Sequence, residues 1–269
     1  MSLHEPEKAK VGPLSGLVDL GVNARTQAAW GPSYHRIMGT LEEHFGLHDF
    51  VLGGRPSLAD FALLGPLYAH LFRDAIPGYE MRLTYPLVAE WVERANGVNA
   101  LNARSYGQQI YTLDETKALV GKIACSDGGE WLANDTVPET LFPLLDVFFD
   151  EMWPCLQASV EALRQYLDSP RHSAGAELPG KSFFATPGFE ALQRESGPLT
   201  HAFCLHSARG RRMVAPYHVW MLQRLEAGTN PETRIGRHGI DSLSALLSGC
   251  RVRKQGGRIF EDAKANGRQ

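Results

Sequence analysis

Residues 51–74 read VLGGRPSLADFALLGPLYAHLFRD, and this run constrains the fold more than any other part of the 269-residue chain. Gly53, Gly54 and Pro56 interrupt whatever regular structure precedes them. Ser57-Leu58-Ala59-Asp60 then stands directly before an apolar run in which Phe61, Leu64, Leu67, Tyr68 and Leu71 recur at helical spacing. A serine at the N-cap accepts a hydrogen bond from the backbone N–H three residues on. An acid at that third position reaches back to the N-cap N–H and sits well in the field of the helix N-terminus. Asp60 is a shorter variant of the usual Glu or Gln. The pattern predicts a helix over 57–72 with a reciprocal capping box made by Ser57 and Asp60. Its apolar residues lie on nearly every side, which places it centrally and buried.

Other helices follow from the same periodicity. Tyr34, Ile37, Met38, Leu41 and Phe45 form one stripe of a helix built over 24–45, with Gly31-Pro32 kinking or starting it. Pro77-Gly78 marks a loop, and a further helix runs over 85–94. A helix is expected over 108–124, capped by Thr112 or Asp114. Between 138 and 167, apolar residues from Leu141 to Leu167 keep a helical repeat, bent by Pro154 in mid-run. Residues 168–182 read as a surface loop. Leu199–His206 and Arg211–Ala215 suit one small hairpin around Ser207–Gly210. Helices over 216–225, with Pro216 at its first position, and over 242–247, closed by Gly249, complete the pattern. The tail from Arg251 carries six basic residues against two acids and reads as mobile.

The composition excludes several classes. With 43% apolar residues the chain can bury one large core or two smaller ones. A net charge of -3 gives no nucleic-acid signal. The polar start MSLHEPEKAK has no signal-peptide core, and the longest apolar stretch is too short to span a bilayer. Cys125, Cys155, Cys204 and Cys250 are far apart and form no C-x-x-C pair, which fits a reducing, cytoplasmic setting. His44 and His48 are four apart but sit at a helix end without a third ligand, so no metal site is expected. His201 and His206 read as polar residues of the hairpin, and Arg209, Arg211 and Arg212 as its solvated tip. No phosphate-loop, dinucleotide, nucleophile-elbow or zincin motif occurs.

The string from Phe50 to Leu63 resembles the start of the buried helix in the C-terminal, all-helical domain of the glutathione transferase family, whose Ser/Thr and Asp are matched here by Ser57 and Asp60. Pro86, Val88, Trp91 and Arg94 are similar to that family's following helix. More loosely, residues 215–224 (APYHVWMLQR) and Gly249-Cys250 look like a C-terminal extension of some bacterial members. The resemblance covers roughly residues 33–97, is specific for fold, and says little about activity.

The resemblance implies an all-α fold, a glutathione transferase C-terminal-like helical bundle over 24–125 with a mostly helical extension over 126–250 and at most one small β-hairpin; the Pro- and Gly-rich residues 1–23 read as an irregular lead-in and 251–269 as the mobile basic tail. The family makes its glutathione thiolate in an N-terminal thioredoxin-like domain, for which the residues before Ser33 are too few. The expectation is either a piece of a longer protein or a natural protein that kept only the helical half. Such a chain carries no catalytic residue and is inactive alone. It would contribute the hydrophobic co-substrate side of a glutathione-conjugating site, with Tyr34 and Met38 as the candidate wall. It binds no cofactor itself; glutathione is the substrate of the complete family member. The implied partners are a thioredoxin-like domain and a small electrophile, with no nucleic acid, no membrane and at most a weak homodimer. The alternative is a non-catalytic helical interaction or scaffold module.

Overall fold

The computed structural model describes residues 20–96, 111–122, 130–179, 199–228, 234–235 and 238–268. Among these, helices dominate and every sheet is a two-stranded antiparallel hairpin. The chain divides into two compact units, Pro32–Val147 and Phe148–Gln269 with Met1–Gly31. The division thus falls after Val147 rather than near residue 125.

In the first unit, α1 (Gln27–Leu47) buries Met38, Leu41, His44 and Phe45 along the expected stripe; Pro32 lies inside it rather than starting it. α2 (Leu58–Leu67) follows the Gly-Gly-x-Pro break and continues as a π turn over Tyr68–Phe72. α3 (Ala75–Thr84) and α4 (Pro86–Asn96) complete the helical group. Phe45 stacks on Trp91 with centroids 4.7 Å apart. Both rings are buried, as are Leu87, Val88 and Val92. Glu42 from α1 caps α4: its carboxylate accepts the N–H groups of Leu87 and Val88 at 3.0 Å, where helix N–H groups have no partner of their own.

Several expectations need correction. Pro77 and Gly78 are not a loop; they lie in the first turn of α3, where a missing N–H costs nothing. The helix expected over 108–124 is instead the hairpin β1 (Tyr111–Leu113) and β2 (Leu119–Gly121). Asp114 explains why. Its Oδ1 accepts the N–H of Thr116 at 2.8 Å, the Thr116 hydroxyl at 2.7 Å and the N–H of Ala118 at 3.0 Å, so the acid organises a turn instead of a helix start. Lys122, just past β2, anchors the hairpin: its Nζ donates to the Phe45 carbonyl at 3.1 Å and lies 3.4 Å from the buried Asp49 carboxylate.

The long helical stretch over 138–167 is present in pieces. A 3-10 turn (Glu139–Leu141) leads into α5 (Phe142–Val147), a π turn (Phe148–Met152) and α6 (Trp153–Leu167). Pro154 has no N–H for the carbonyl four residues back, and the π turn widens the ladder at that point.

The second unit packs α6 with β3 (Thr200–Leu205), β4 (Ala208–Met213), α7 (Pro216–Gly228), β5 (Arg234–Ile235), β6 (His238–Gly239) and α8 (Ile240–Leu247), and ends on β7 (Val252–Gln255) and β8 (Arg258–Glu261). The expected hairpin is β3–β4, pairing Thr200 with Met213 through to Leu205 with Ala208. Its β3 strand alternates, burying His201, Phe203 and Leu205. The hairpins β1–β2, β5–β6 and β7–β8 make the fold mainly helical rather than all-α. Trp153, Val160, Leu163, Val219, Leu222, Leu243 and Leu247 share one core with Cys250, Val252 and Ile259.

The tail expected to be mobile is therefore folded. Glu261 is fully buried; its Oε2 accepts from His172 Nε2 at 2.8 Å and from the Gly175 N–H at 2.9 Å. Its Oε1 lies 3.1 Å from Arg268 Nε, and Asn266 donates to it at 3.3 Å. Burial alone would raise the Glu261 carboxyl, but the hydrogen bonds from His172, Gly175 and Asn266 hold it below its ordinary value. Nor is the segment before residue 180 a free surface loop: the Leu178 N–H donates to the Ile259 carbonyl and its side chain is buried. The lead-in over 1–19 and the end of the 168–182 loop lie outside the described residues.

Candidate functional site

The Ser57–Asp60 box forms as the spacing predicts. Asp60 Oδ2 accepts both the Ser57 N–H and the Ser57 hydroxyl at 2.8 Å. The sequence did not disclose the work of the other oxygen. Oδ1 accepts the Val51 N–H at 2.9 Å and the Trp91 indole N–H at 3.1 Å. One buried carboxylate thus fixes the start of α2, the segment before it and the middle of α4. A buried carboxylate needs such donors, because an unmatched one costs several kcal/mol, on the order of its desolvation.

α2 is not buried as expected. Only Asp60 and Leu67 are buried in it, while Leu58 is 87% exposed and Phe61 54% exposed. The exposed apolar residues stand at helical spacing along one side. α3 repeats this: Ile76, Tyr79 and Leu83, at i, i+3 and i+7, are also exposed. Isolated exposed apolar residues are ordinary; several at helical spacing on one helix are less so.

Between the π turn and α3 lies a cleft of about 370 Å³ lined by Tyr68, Phe72, Arg73, Tyr79 and Arg82 among others. Arg82 is fixed there. Its Nη1 donates to the Gly78 carbonyl at 2.8 Å and the Phe72 carbonyl at 3.2 Å, and its guanidinium lies 3.8 Å from the Phe72 ring centre. Arg73 lies 5.8 Å from the Tyr68 ring centre. The lining holds aromatic faces, two guanidinium groups and the Asp74 carboxylate, a set suited to holding a flat aromatic molecule. The i, i+3, i+7 spacing of Ile76, Tyr79 and Leu83 is present in the sequence, but Pro77-Gly78 within it carries a loop signal that masks it.

Tyr34 and Met38, the candidate wall, do not line this cleft. Met38 is buried in the core at 1% exposure. Tyr34 is half-buried, packs edge-on to His35 and Tyr85, and its hydroxyl has no hydrogen-bond partner among the described residues. Burial, then the nearby Glu80 and Tyr85, push its phenol up to about 12, so it stays neutral. Beside it, His35 Nδ1 meets the Tyr85 hydroxyl at 2.9 Å and His35 Nε2 lies 3.7 Å from Glu80.

His44 and His48 stack with centroids 4.8 Å apart. His44 is fully buried, with Nε2 3.1 Å from the Phe50 carbonyl and Nδ1 2.7 Å from the Thr140 hydroxyl. A carbonyl can only accept, so Nε2 carries the proton and Nδ1 accepts from Thr140. Both ring nitrogens are committed to holding the fold. Burial pushes this imidazole down to about 4. Among the described residues no group of three or more His, Cys, Asp or Glu could hold a metal ion, and no helix is long and apolar enough to cross a membrane.

Residues 25–94 match the family model described as glutathione S-transferase, C-terminal domain. The matched segment takes in α1 to α3 and nearly all of α4, and so contains Ser57, Asp60, the exposed stripes and the cleft. No curated protein and no solved structure matches the chain.

Proposed function

From a segment over residues 25–94 that is a glutathione S-transferase C-terminal domain, we infer that the chain works as the helical half of a glutathione transferase-like protein. In this reading a thioredoxin-like domain binds glutathione and makes its thiolate, the attacking species, while the helical half offers apolar surface to the electrophile. The observation that supports it is the exposure of Leu58, Phe61, Ile76, Tyr79 and Leu83 within the matched segment. A solvated stripe of this kind is costly to leave bare and serves as a docking face for a partner domain or an aromatic co-substrate. The aromatic cleft beside it, rather than Tyr34 and Met38, is the candidate place for an electrophile.

The same exposed stripes also favour the second reading, a non-catalytic helical interaction module, because they suit a protein partner as well as an electrophile. Equilibrium binding separates the two. The chain is titrated with a dinitrophenyl aryl ligand, and binding is compared in Tyr79→Ala. Saturable binding that Tyr79→Ala weakens supports the co-substrate role. Absence of saturable binding by the folded chain removes that role and leaves the interaction module.

A further inference from the structure

The second unit carries a cleft of about 480 Å³ between α7 and β7, lined by Trp220, Gln223, Arg224, Val252, Arg253 and Lys254 among others. Its frame is fixed by one side chain. The Gln223 amide donates to the Val252 carbonyl at 3.1 Å and accepts the Val252 N–H at 3.0 Å, pairing with β7 as a neighbouring strand would. Val252 is buried beneath the cleft, and Lys254, two residues along the strand, returns to the same face.

The lining is basic. Lys254 Nζ lies 4.7 Å from the Trp220 ring centre and 5.3 Å from that of Tyr217. The Arg224 guanidinium lies 5.2 Å from the same Trp220 ring. Arg253, between Val252 and Lys254 on the strand, turns to the other face, over Phe260 at 4.8 Å and donating to the Gln255 side-chain oxygen at 2.6 Å. The neighbouring cations differ: Arg251 is paired with Glu226, and Arg258 with Glu177 at 3.0 Å. Arg224 and Lys254 have no carboxylate partner among the described residues, although the whole chain carries a net charge of -3. Two unneutralised cations held against one ring repel each other, and an anion between them removes that repulsion. Arg supplies a planar fork of donors for phosphate oxygens and Lys a point charge, while the ring contacts hold both side chains near the cleft before a ligand arrives.

We propose that the α7–β7 cleft binds a small phosphate ester, with Arg224 and Lys254 as the principal phosphate contacts. This site is independent of the transferase-like reading of residues 25–94. Its size suits a sugar phosphate or a mononucleotide. The cations cluster locally and the chain as a whole is acidic, which disfavours a nucleic-acid track.

The test titrates the full chain at low ionic strength with inorganic phosphate, a sugar phosphate, adenosine diphosphate and a single-stranded oligonucleotide, with chloride at matched ionic strength as the blank. The expected result is saturable binding of at least one phosphate ester above the chloride blank, weakened about tenfold or more in Arg224→Gln/Lys254→Gln. Relative affinity for the three small ligands identifies the source of the phosphate. Lys254→Glu, at an exposed strand position, is the second variant should the double change perturb folding; it is expected to weaken binding at an unchanged melting temperature. No saturable binding of any phosphate, equal binding by the folded variants, or tighter binding of the oligonucleotide than of every small ligand would overturn the proposal.

Discussion

The indole N–H of Trp91 donates to Oδ1 of Asp60 at 3.1 Å, joining the middle of α4 to the first turn of α2. Asp60 therefore serves three backbone segments, whereas Ser57 serves only the helix start. Ser57→Ala is expected to cost about 0.5–2 kcal/mol, the usual range for an N-cap. Asp60→Ala strands the Trp91 and Val51 donors as well, and is expected to cost roughly 3 kcal/mol or more. Trp91→Phe removes one donor and some packing, for roughly 1–2 kcal/mol. Urea melts check the order. Equal costs for Ser57→Ala and Asp60→Ala would mean that Asp60 is only a cap.

His44 sets an acid limit on stability. Its folded value is about 4 against an ordinary 6.5, because burial disfavours the imidazolium. Between these values the unfolded chain takes up a proton that the folded chain does not, so stability falls as pH drops from about 6.5 towards 4. The slope from this one group is at most about 1.4 kcal/mol per pH unit. Above pH 6.5 it contributes no slope. His44→Gln, compared with the parent by urea melts across this window, is expected to show a shallower loss. Identical slopes would refute the assignment.

Gly78 tests the packing that carries the cleft. A Cβ there would sit 2.3 Å from the Phe72 carbonyl oxygen, a backbone atom that cannot swing away. Gly78→Ala is expected to destabilise by about 1–3 kcal/mol despite alanine's better helix propensity. A neutral or stabilising effect in thermal melts would show that α3 does not lie this close to the π turn.

The three cysteines among the described residues give a labelling order. Cys204 is exposed, Cys155 is partly buried, and Cys250 is fully buried with its thiol pushed up to about 12 by that burial. Burial also raises Cys155, partly offset by Arg212. Since the thiolate is the reactive form, alkylation followed by peptide mapping should label Cys204 first, Cys155 more slowly, and Cys250 only on unfolding. Native-state labelling of Cys250 as fast as Cys204 would contradict the core of the second unit.

Local signals carried the reading as far as they reach. The capping box, the Met38–Leu41–Phe45 stripe and the β3–β4 hairpin are each set by residues close in sequence, and each forms. What escaped depends on distant partners or on turn chemistry. Asp114 suits a helix cap and an Asx-type turn equally, since both use the same side chain; its bonds to Thr116 and Ala118 decide for the turn. The last residues look like a charged tail until Glu261 meets His172, 89 residues away. α2 reads as buried because apolar content reports what could be covered, and only the fold shows that Leu58 and Phe61 are not.

The central claim is that this chain supplies the helical half of a glutathione-conjugating protein and not the thiolate. Turnover of glutathione with a generic aryl halide by the purified chain tests it most directly. The expected result is a rate indistinguishable from the uncatalysed reaction. Sustained turnover well above that rate, surviving repurification, would contradict it and place a thiolate-stabilising group within this chain.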